Sequence, residues 1–326
     1  MEQLRIGILG AARIARSKVI PALRTARNCH VAAVATRSDG DLAGLAVEWG
    51  VPRVFPSYEA LLASDEIDAV YLPLPNHLHA LWTVAAARAG KHVLCEKPLA
   101  MTATEALRMA AVCDIAGVTL MEGFMYRFHP MWTQILDMVG DGTIGKLRTA
   151  ECWFTYHNDD PDDIRNIADY GGGALMDIGC YLVSVARLVF GTEPEEVSAV
   201  SQFENGVDVL TSGVLGFADG QATFTCGTRS ERDQGVRIVG SHGRIEVERP
   251  FNADPVAPEV IDVIIGGERR RIDVPAANAY TLQVEAFADA VHHDLPVPIA
   301  PEDSIANLAV LDRIAAQSSH SDRCRR

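Results

Sequence analysis

The chain has 326 residues, which at about 150 residues per domain points to two domains. Hydrophobic residues make up 48 % and charged residues 22 %, the balance of a soluble globular protein, which excludes a disordered, collagenous or fibrous chain. With 29 Lys and Arg against 43 Asp and Glu the net charge is −14, and so acidic a surface argues against nucleic-acid or anionic-membrane partners. Any phosphate group must therefore be met by a local pocket. No continuous apolar run reaches the ~18 residues of a spanning helix. Met1-Glu2-Gln3 opens without the basic and then apolar pattern of a signal peptide. The 7 cysteines, Cys29, Cys95, Cys113, Cys152, Cys180, Cys226 and Cys324, are odd in number and show no C-x-x-C spacing. A reducing cytoplasm is expected, with no disulfide framework and no metal site.

Short apolar runs alternate with amphipathic stretches at the start of the chain. The runs are Leu4–Leu9, Val31–Ala35, Ala69–Leu72 and Val93–Cys95. Between them lie Ile14–Arg24, Leu42–Trp49, Tyr58–Ala63 and Leu78–Ala89. Strands buried on both faces read as continuous apolar runs and helices cover those faces, so a parallel, doubly wound sheet is expected. Thr102-Ala103-Thr104-Glu105 is a capping-box pattern opening a helix over Ala103–Ala116, and Val118–Met121 completes the layer. The pattern changes after Gly123. Leu147–Thr155 reads as a long strand, and Val197–Val274 is strand-rich, with turns at Asp219-Gly220, Ser241-His242-Gly243 and Gly266-Gly267. Short glycine-containing connections join antiparallel neighbours. Helices are expected near Met131–Val139, Ala174–Val189, Thr281–His292 and Asp303–Ala316, followed by a polar, frayed tail from Ser318. The expected fold is α/β. A doubly wound parallel sheet occupies residues 1–122, and an α+β domain on a mostly antiparallel open sheet occupies 123–326.

The first strand runs into Gly10-Ala11-Ala12-Arg13-Ile14-Ala15 and then a helix. This is the G-x-G-x-x-G/A pattern with alanine at the second and third small positions. The glycine permits the tight turn, a small second residue admits a pyrophosphate to the backbone, and a small third residue lets the helix pack on the strand. The helix N-terminus then offers free N–H groups to the phosphates. A dinucleotide is the expected ligand. An NAD enzyme usually ends its second strand on an acid that binds the adenosine ribose. Here Ala35 is followed by Thr36-Arg37-Ser38, with no acid before Asp39. Arginine offers a forked donor to a 2′-phosphate and serine a hydroxyl, which favours NADP and leaves NAD possible. The alternative for Arg37 is a solvated loop cation.

Three further stretches carry a resemblance. They are Pro75-Asn76-His77-Leu78-His79, Gly90-Lys91-His92-Val93-Leu94-Cys95-Glu96-Lys97-Pro98-Leu99, and Gly171-Gly172-Gly173-Ala174-Leu175-Met176-Asp177-Ile178-Gly179-Cys180-Tyr181. With the glycine loop, they resemble the glucose–fructose oxidoreductase, inositol dehydrogenase and rhizopine-catabolism (Gfo/Idh/MocA) family over about residues 4 to 316. The resemblance implies a Rossmann domain followed by an open-sheet domain. It also implies a homodimeric or homotetrameric oxidoreductase that passes a hydride between nicotinamide and a sugar, polyol or related diol or keto sugar. The family's catalytic lysine falls on Lys97 and its second catalytic position, often histidine, on Tyr181. The common pattern D-x-G-x-H-x-x-D is here Asp177, Gly179, Tyr181 and Ser184. Tyrosine at that place is similar to the branch of glucose–fructose oxidoreductase, xylose dehydrogenase, dihydrodiol dehydrogenase, anhydrofructose reductase and some nucleotide-sugar ketoreductases.

The residue types suit the chemistry. A phenol with a pKa near ~10 is a poor base at neutral pH, and a lysine cation beside it stabilises the phenolate. Lys97 follows a strand at the carboxyl edge of the sheet, where such folds bind ligands. Asp177 lies four residues before Tyr181, on the same face of a regular helix, and can orient the substrate. Glu96 serves either the cofactor ribose or the shape of the turn. Asn76 is placed to meet the ribose or nicotinamide side, and His79 either joins it or packs on its loop. Arg127 and Arg165 resemble family positions at the domain junction, as substrate ligands or as structural ion-pair partners. Alternative readings are a biosynthetic nucleotide-sugar ketoreductase and a non-catalytic dinucleotide-binding sensor.

Overall fold

A computed structural model describes residues 3–37 and 41–323. Six strands form the first sheet: β1 (Leu4–Leu9), β2 (Cys29–Ala35), β3 (Val54–Phe55), β4 (Ala69–Leu72), β5 (His92–Cys95) and β6 (Leu120–Glu122). All pair in parallel, in the order β3-β2-β1-β4-β5-β6. That is the Rossmann order, whose direction of winding reverses between β1 and β4. Every residue of β4 is buried, as a strand covered on both faces requires. The connections carry α1 (Ile20–Thr25), α2 (Leu42–Trp49), α3 (Tyr58–Leu62), α4 (His79–Arg88) and α5 (Ala103–Ala116). A π-helical turn, Ala15–Val19, leads into α1 where a regular helix was expected. α5 has the bounds its capping box predicts. Thr102 Oγ1 accepts from Glu105 N at 3.2 Å, while Glu105 Oε2 reaches one residue further back, to Met101 N, at 2.8 Å.

The second sheet has eight strands, entered after α6 (Pro130–Gly140). They are β7 (Leu147–His157), β8 (Glu196–Glu204), β9 (Val207–Phe217), β10 (Gly220–Gly227), β11 (Arg229–Gly240), β12 (Gly243–Val247), β13 (Glu259–Ile265) and β14 (Glu268–Val274). The order is β14-β13-β12-β11-β7-β10-β9-β8, antiparallel throughout except for the parallel pair β7 and β10. The β8–β9 hairpin turns on Asn205-Gly206, with φ of 50° and 85°, the Asn-Gly pair that such turns favour. Between β7 and β8, a π-helical turn Leu175–Gly179 leads into α7 (Cys180–Phe190).

One face of this sheet takes α7 against β7 and β10 and α6 against β13. Ala150, Cys152 and Phe154 of β7 and Ala222, Phe224 and Cys226 of β10 are buried there. The opposite face carries a charge ladder across five strands. Arg237 meets Glu151 at 3.3 Å and Glu246 at 3.4 Å, and Arg269 meets Glu246 at 3.1 Å and Asp262 at 2.7 Å. Opposite charges facing one another across strands favour this register over a slipped one.

The chain divides into two compact units. Met1–Met125 joins Ala279–Ile305, and Tyr126–Asn278 joins Ala306–Arg326. The return of Ala279–Ile305 to the first unit departs from the single break expected at 122/123. Its helix, α8 (Ala279–His293), is tied to the start of β2. Glu285 accepts from the Arg27 backbone at 2.8 Å, and Asp289 accepts from Asn28 Nδ2 at 2.7 Å. Phe287 of α8 is fully buried. The last helix, α9 (Pro301–Arg323), runs past the expected end at Ala316, since no Gly or Pro interrupts residues 302–323. Ala168–Phe190 is long and apolar enough to cross a membrane, but 78 % of its apolar window is buried inside the protein.

Candidate active site

In the first unit, β1 delivers the chain to Gly10 at φ +105°. A Cβ there would lie 3.0 Å from Leu74 Cδ2 and 3.2 Å from the Tyr58 hydroxyl, so the turn has room only for glycine. Gly10 N donates to Ala35 O at 2.9 Å, joining the loop to the end of β2. Ala11 and Ala12 are half-buried and Ala15, the third small position, is buried. The helical bond from Arg16 N to Ala12 O, 3.2 Å, leaves the Arg13, Ile14 and Ala15 amides without an acceptor in a preceding turn. These amides and the positive end of the helix dipole form a seat for phosphate. Thr36 is buried and its N–H donates to Phe55 O at 3.1 Å. Arg37 is exposed, with its guanidinium 5.9 Å from the centre of the Tyr58 ring. Tyr58 thus borders both ends of the cradle, and the backbone and side chains fit a dinucleotide. Ser38, expected beside Arg37, lies outside the described residues.

The ends of β4 and β5 carry the next group. Asn76 stands in a 3-10 turn, Asn76–Leu78, and is half-buried. Glu96 Oε1 accepts from the Tyr71 hydroxyl at 2.6 Å and Glu96 N donates to Leu72 O at 3.1 Å. The carboxylate is therefore engaged in the shape of this turn. Lys97 follows, half-buried, and Leu99 N donates to Glu122 Oε1 at 2.7 Å. His79 packs on its loop, the second of the two places expected for it. It is fully buried, with Nδ1 2.9 Å from Pro98 O and Nε2 2.8 Å from Leu74 O. It ties the segment after β4 to the Lys97-Pro98 segment. Only an imidazolium could donate to both carbonyls. Burial foremost, and Lys97 with it, outweigh the carbonyls' pull, so the pKa lies below the usual histidine value.

In the second unit the glycine triplet brings backbone close to backbone. A Cβ on Gly172 would lie 2.5 Å from Arg165 O, and Gly173 N donates to that carbonyl at 2.9 Å. At Gly173, φ +114°, a Cβ would collide with Asp208. Asp208 Oδ2 accepts from Leu175 N at 2.8 Å and Thr211 Oγ1 at 2.7 Å, and so secures the start of the π-helical turn. Burial raises its pKa. Asp177 lies within that turn. Its Oδ2 accepts from the Tyr156 hydroxyl at 2.6 Å and its Oδ1 pairs with Arg165 Nε at 3.2 Å. Arg165 also pairs with Asp163 at 3.3 Å. Tyr181 is 7 % exposed, with the rings of Phe251, Tyr126 and Phe154 centred 5.5, 5.7 and 6.1 Å away. Ser184, where the common family pattern has aspartate, meets the Tyr126 hydroxyl at 2.7 Å. Arg127 is half-buried in the 3-10 turn Met125–Phe128. The loop from Asn158 to Asp163 closes on itself, Asp160 N on Asn158 Oδ1 at 3.2 Å and Asp162 N on Asp160 Oδ1 at 3.0 Å. No cluster suited to a metal ion occurs among the described residues.

Tyr156 and Asp208 escaped the sequence reading. Tyr156 carried one usable signal. It shares the parity of Ala150, Cys152 and Phe154 on β7 and so faces the helix side of the sheet. Asp208 carried none, since its partner Leu175 lies 33 residues away.

Both halves of the chain match known families. Residues 4–124 match the oxidoreductase family with an NAD-binding Rossmann fold, and residues 132–246 match the GFO/IDH/MocA C-terminal domain. The chain belongs to the Gfo/Idh/MocA oxidoreductase family. It is 40 % identical over 315 residues to a D-xylose 1-dehydrogenase (NADP(+)) of Haloferax volcanii, covering 95 % of this chain and 96 % of that one. A crystal structure of KijD10, a 3-ketoreductase from Actinomadura kijaniata in complex with NADP and TDP-benzene, superposes with a TM-score of 0.91 at 34 % identity, covering 97 % of this chain and 98 % of that one. The aldose-aldose oxidoreductase of Caulobacter crescentus, complexed with glycerol, gives a TM-score of 0.90 at 27 % identity, covering 98 % of both chains. This member of the family is therefore an enzyme with a mixed α/β fold and a nicotinamide-dinucleotide-binding Rossmann domain.

Burial holds His79, His92 and His129 below the ordinary value of 6.5. Below pH 6.5 the unfolded chain binds protons that these folded histidines refuse, so their contribution to stability falls as pH drops. The urea midpoint should be lower at about pH 5.5 than at about pH 7.5, with a smaller drop in His79→Asn. An unchanged drop in that variant would show that His79 titrates as it does in the unfolded chain.

Proposed function

We propose that this enzyme is an NADP-dependent oxidoreductase that moves a hydride between the nicotinamide and a carbon bearing a hydroxyl or keto group in a sugar, polyol or diol. Lys97 and Tyr181 handle the proton. The observation that carries this reading is the placement of Lys97. It stands at the carboxyl end of β5, beside the engaged Glu96 and next to the Pro98 carbonyl that His79 holds. The sheet edge it occupies also carries the Gly10 cradle. The NADP(+)-linked xylose dehydrogenase and the NADP complex of KijD10 support the cofactor assignment. Bound NADP supplies the hydride acceptor or donor. Gly10 to Ile14 seat its pyrophosphate, and Thr36, Arg37 and Ser38 meet its 2′-phosphate. Asn76 and Glu96 border its nicotinamide half. Tyr181 takes the substrate hydroxyl proton in oxidation and returns one in reduction. Lys97 is the cation that favours the phenolate, and Asp177 accepts a substrate hydroxyl.

Residues 1–122 are the dinucleotide-binding part on this reading. The part from residue 123 binds substrate and assembles the enzyme as a homodimer or homotetramer in the cytoplasm. Six buried cysteines, free among the described residues, accord with a reducing compartment. Assembly uses the uncovered face of the eight-stranded sheet, where Val200 and Val214 are 62 % and 38 % exposed. A nucleotide-sugar ketoreductase is the second reading, favoured by the likeness to KijD10. A sensor would need neither Lys97 nor Tyr181.

Arg37→Ala should weaken NADP(H) binding by about tenfold to a hundredfold through lost charge-assisted bonds, and leave NAD(H) binding nearly unchanged. Equal losses for both cofactors, read by nicotinamide fluorescence, would remove Arg37 from the 2′-phosphate. Tyr181→Phe keeps the ring among Phe251, Tyr126 and Phe154 and deletes only the hydroxyl. Its kcat should fall by about 10²–10⁴ with cofactor affinity intact. Lys97→Ala should cripple kcat, and the double variant should be little worse than the poorer single one. Normal turnover in Tyr181→Phe would send the proton elsewhere. Light scattering at micromolar concentration should give at least twice the 35.2 kDa chain mass, and a monomer mass would refute the assembly.

A further inference from the structure

The ring of Tyr181 is walled by rings from separate parts of the second unit. Phe154 comes from β7, Tyr126 from the segment before α6, and Phe251 from the connection between β12 and β13. Phe251 joins the others. It stacks on Phe154 at 5.3 Å with the planes 7° apart, meets Tyr126 edge-on at 5.6 Å and 82°, and meets Tyr181 at 5.5 Å and 60°. These are the offset and edge-on arrangements that aromatic pairs prefer. Phe251 is 1 % exposed, so it offers a substrate no surface. Its contact with the reaction runs through Tyr181.

The connection that carries Phe251, residues 248–258, is held like a core element. Pro250, Pro255 and Pro258 fix φ at three points along it. Immediately before Phe251, the Pro250 carbonyl accepts from Trp132 Nε1 of α6 at 2.9 Å, and Trp132 is itself buried. Phe251 N donates to Gln234 Oε1 of β11 at 3.3 Å. Glu259, buried at the start of β13, accepts from Asp254 N at 2.7 Å and pairs with Arg249 at 3.2 Å, which closes the base of the connection. The ring is thus aimed from α6, β11 and β13, none of which carries Tyr181. Tyr126 is tied to the helix of Tyr181 instead. Its hydroxyl meets Ser184 Oγ at 2.7 Å, one turn past Tyr181 on α7, and its ring meets Trp132 edge-on at 5.3 Å.

A helix backbone fixes the Cβ of a tyrosine but leaves it more than one χ1 well. A phenolic hydroxyl lies on the axis of its ring, so packing against the ring decides where the hydroxyl stands. Proton transfer needs the heavy atoms within about 2.6–3.2 Å, and a misplacement of about 1 Å can cost about a hundredfold in rate. We infer that Phe251 is a positioning residue for the proton-transfer step, which from the β12–β13 connection holds the Tyr181 ring in one rotamer and so sets where its hydroxyl meets the substrate. The inference rests on the reading of Tyr181 as the acid–base group given above.

The test compares wild type, Phe251→Leu, Trp132→Phe, Tyr181→Phe and the double variant of Phe251→Leu with Tyr181→Phe. Rates are read with NADP(+) and the best substrate of an aldose and polyol panel that includes D-xylose, below each variant's unfolding transition. Phe251→Leu should lower kcat about tenfold to a hundredfold, with KM within about threefold of wild type and NADP(H) affinity unchanged. Trp132→Phe keeps an aromatic ring beside Tyr126 and removes the N–H that Pro250 accepts. It should lower kcat about threefold with the same split. With the Tyr181 hydroxyl already gone, Phe251→Leu should cost no more than about twofold further, whereas a role in the fold or in substrate contact would multiply the two losses. Wild-type kcat in Phe251→Leu overturns the inference, as does a loss confined to KM or a double variant slowed by the product of the single losses. Should Phe251→Leu fail to fold, an undiminished kcat in Trp132→Phe overturns it. Normal turnover in Tyr181→Phe overturns the proton-transfer reading itself. A slow Tyr181→Phe beside a normal Phe251→Leu overturns this inference alone.

Discussion

A parallel sheet buried on both faces leaves its backbone accessible only at the strand ends, and the first unit is organised by that constraint. β4 is apolar along its length, and β1, β2 and β5 are apolar through their carboxyl-terminal halves, so at that edge polar groups begin where each strand stops. At the carboxyl edge these stops are Gly10, Thr36-Arg37, Asn76 and Glu96-Lys97. The reversal of winding between β1 and β4 keeps the connecting helices from closing over the edge there. What remains is to stiffen the exposed loops. Gly10 N bonds to Ala35 O, Glu96 takes the Tyr71 hydroxyl, and His79 spans Leu74 and Pro98. Each tie joins the loop of one strand to another strand or loop. A shift in any of them would be passed to Lys97 or to the pyrophosphate seat.

The same economy appears in the second unit with different means. There the close approach is made by Gly172 and Gly173 against Arg165 and Asp208. Without Cβ atoms the loop lies flat on its neighbours, and Asp208 reaches the first turn of the helix that bears Asp177. The uncovered face of the sheet is ordered by the ladder from Glu151 through Arg237, Glu246 and Arg269 to Asp262. Exposed pairs of this kind are worth little individually. Their alternation in sign across strands disfavours a slipped register all the same, and the register places the buried face under α7.

What could be read from the chain was local, and what could not was paired at a distance. The capping box at Thr102 and the apolar runs of β1, β4 and β5 are one-dimensional patterns, and each marks its element to within a residue or two. Gly10 and the Glu96-Lys97-Pro98 stretch were legible for the same reason. Tyr156 was not, because only the placement of β7 beneath the helix brings it to Asp177. Asp208 and Phe251 joined the site through sheet register and a long loop. His79 was visible as a polar residue near the site, but its neighbours Leu74 and Pro98 are carbonyls of the backbone, to which side-chain patterns are blind. The return of α8 is set by Arg27 and Asn28, more than 250 residues earlier, meeting Glu285 and Asp289.

Asp177 and Tyr181 stand four residues apart in different surroundings. In a regular α-helix, residues four apart share a face. Here Asp177 lies inside a π-helical turn and Tyr181 just beyond it. A turn closed by i→i+5 bonds takes more residues than an α-turn, so residues four apart fall just short of a full turn instead of just past it and still share a face. The strand beneath shows both, offset by the rise of the helix. Asp177 meets Tyr156 and Tyr181 meets Phe154, two residues apart on one face of β7, a separation of about 7 Å along the strand. The carboxylate thus belongs to a polar group with Arg165, while the phenol stands among Tyr126, Phe154 and Phe251. An aromatic surround favours a neutral hydroxyl that changes charge only when a cation is supplied. A salt-bridged carboxylate favours constant charge. The rise of the helix between them lets one short segment present both, and a second π-helical turn, Ala15–Val19, follows the glycine loop of the first unit.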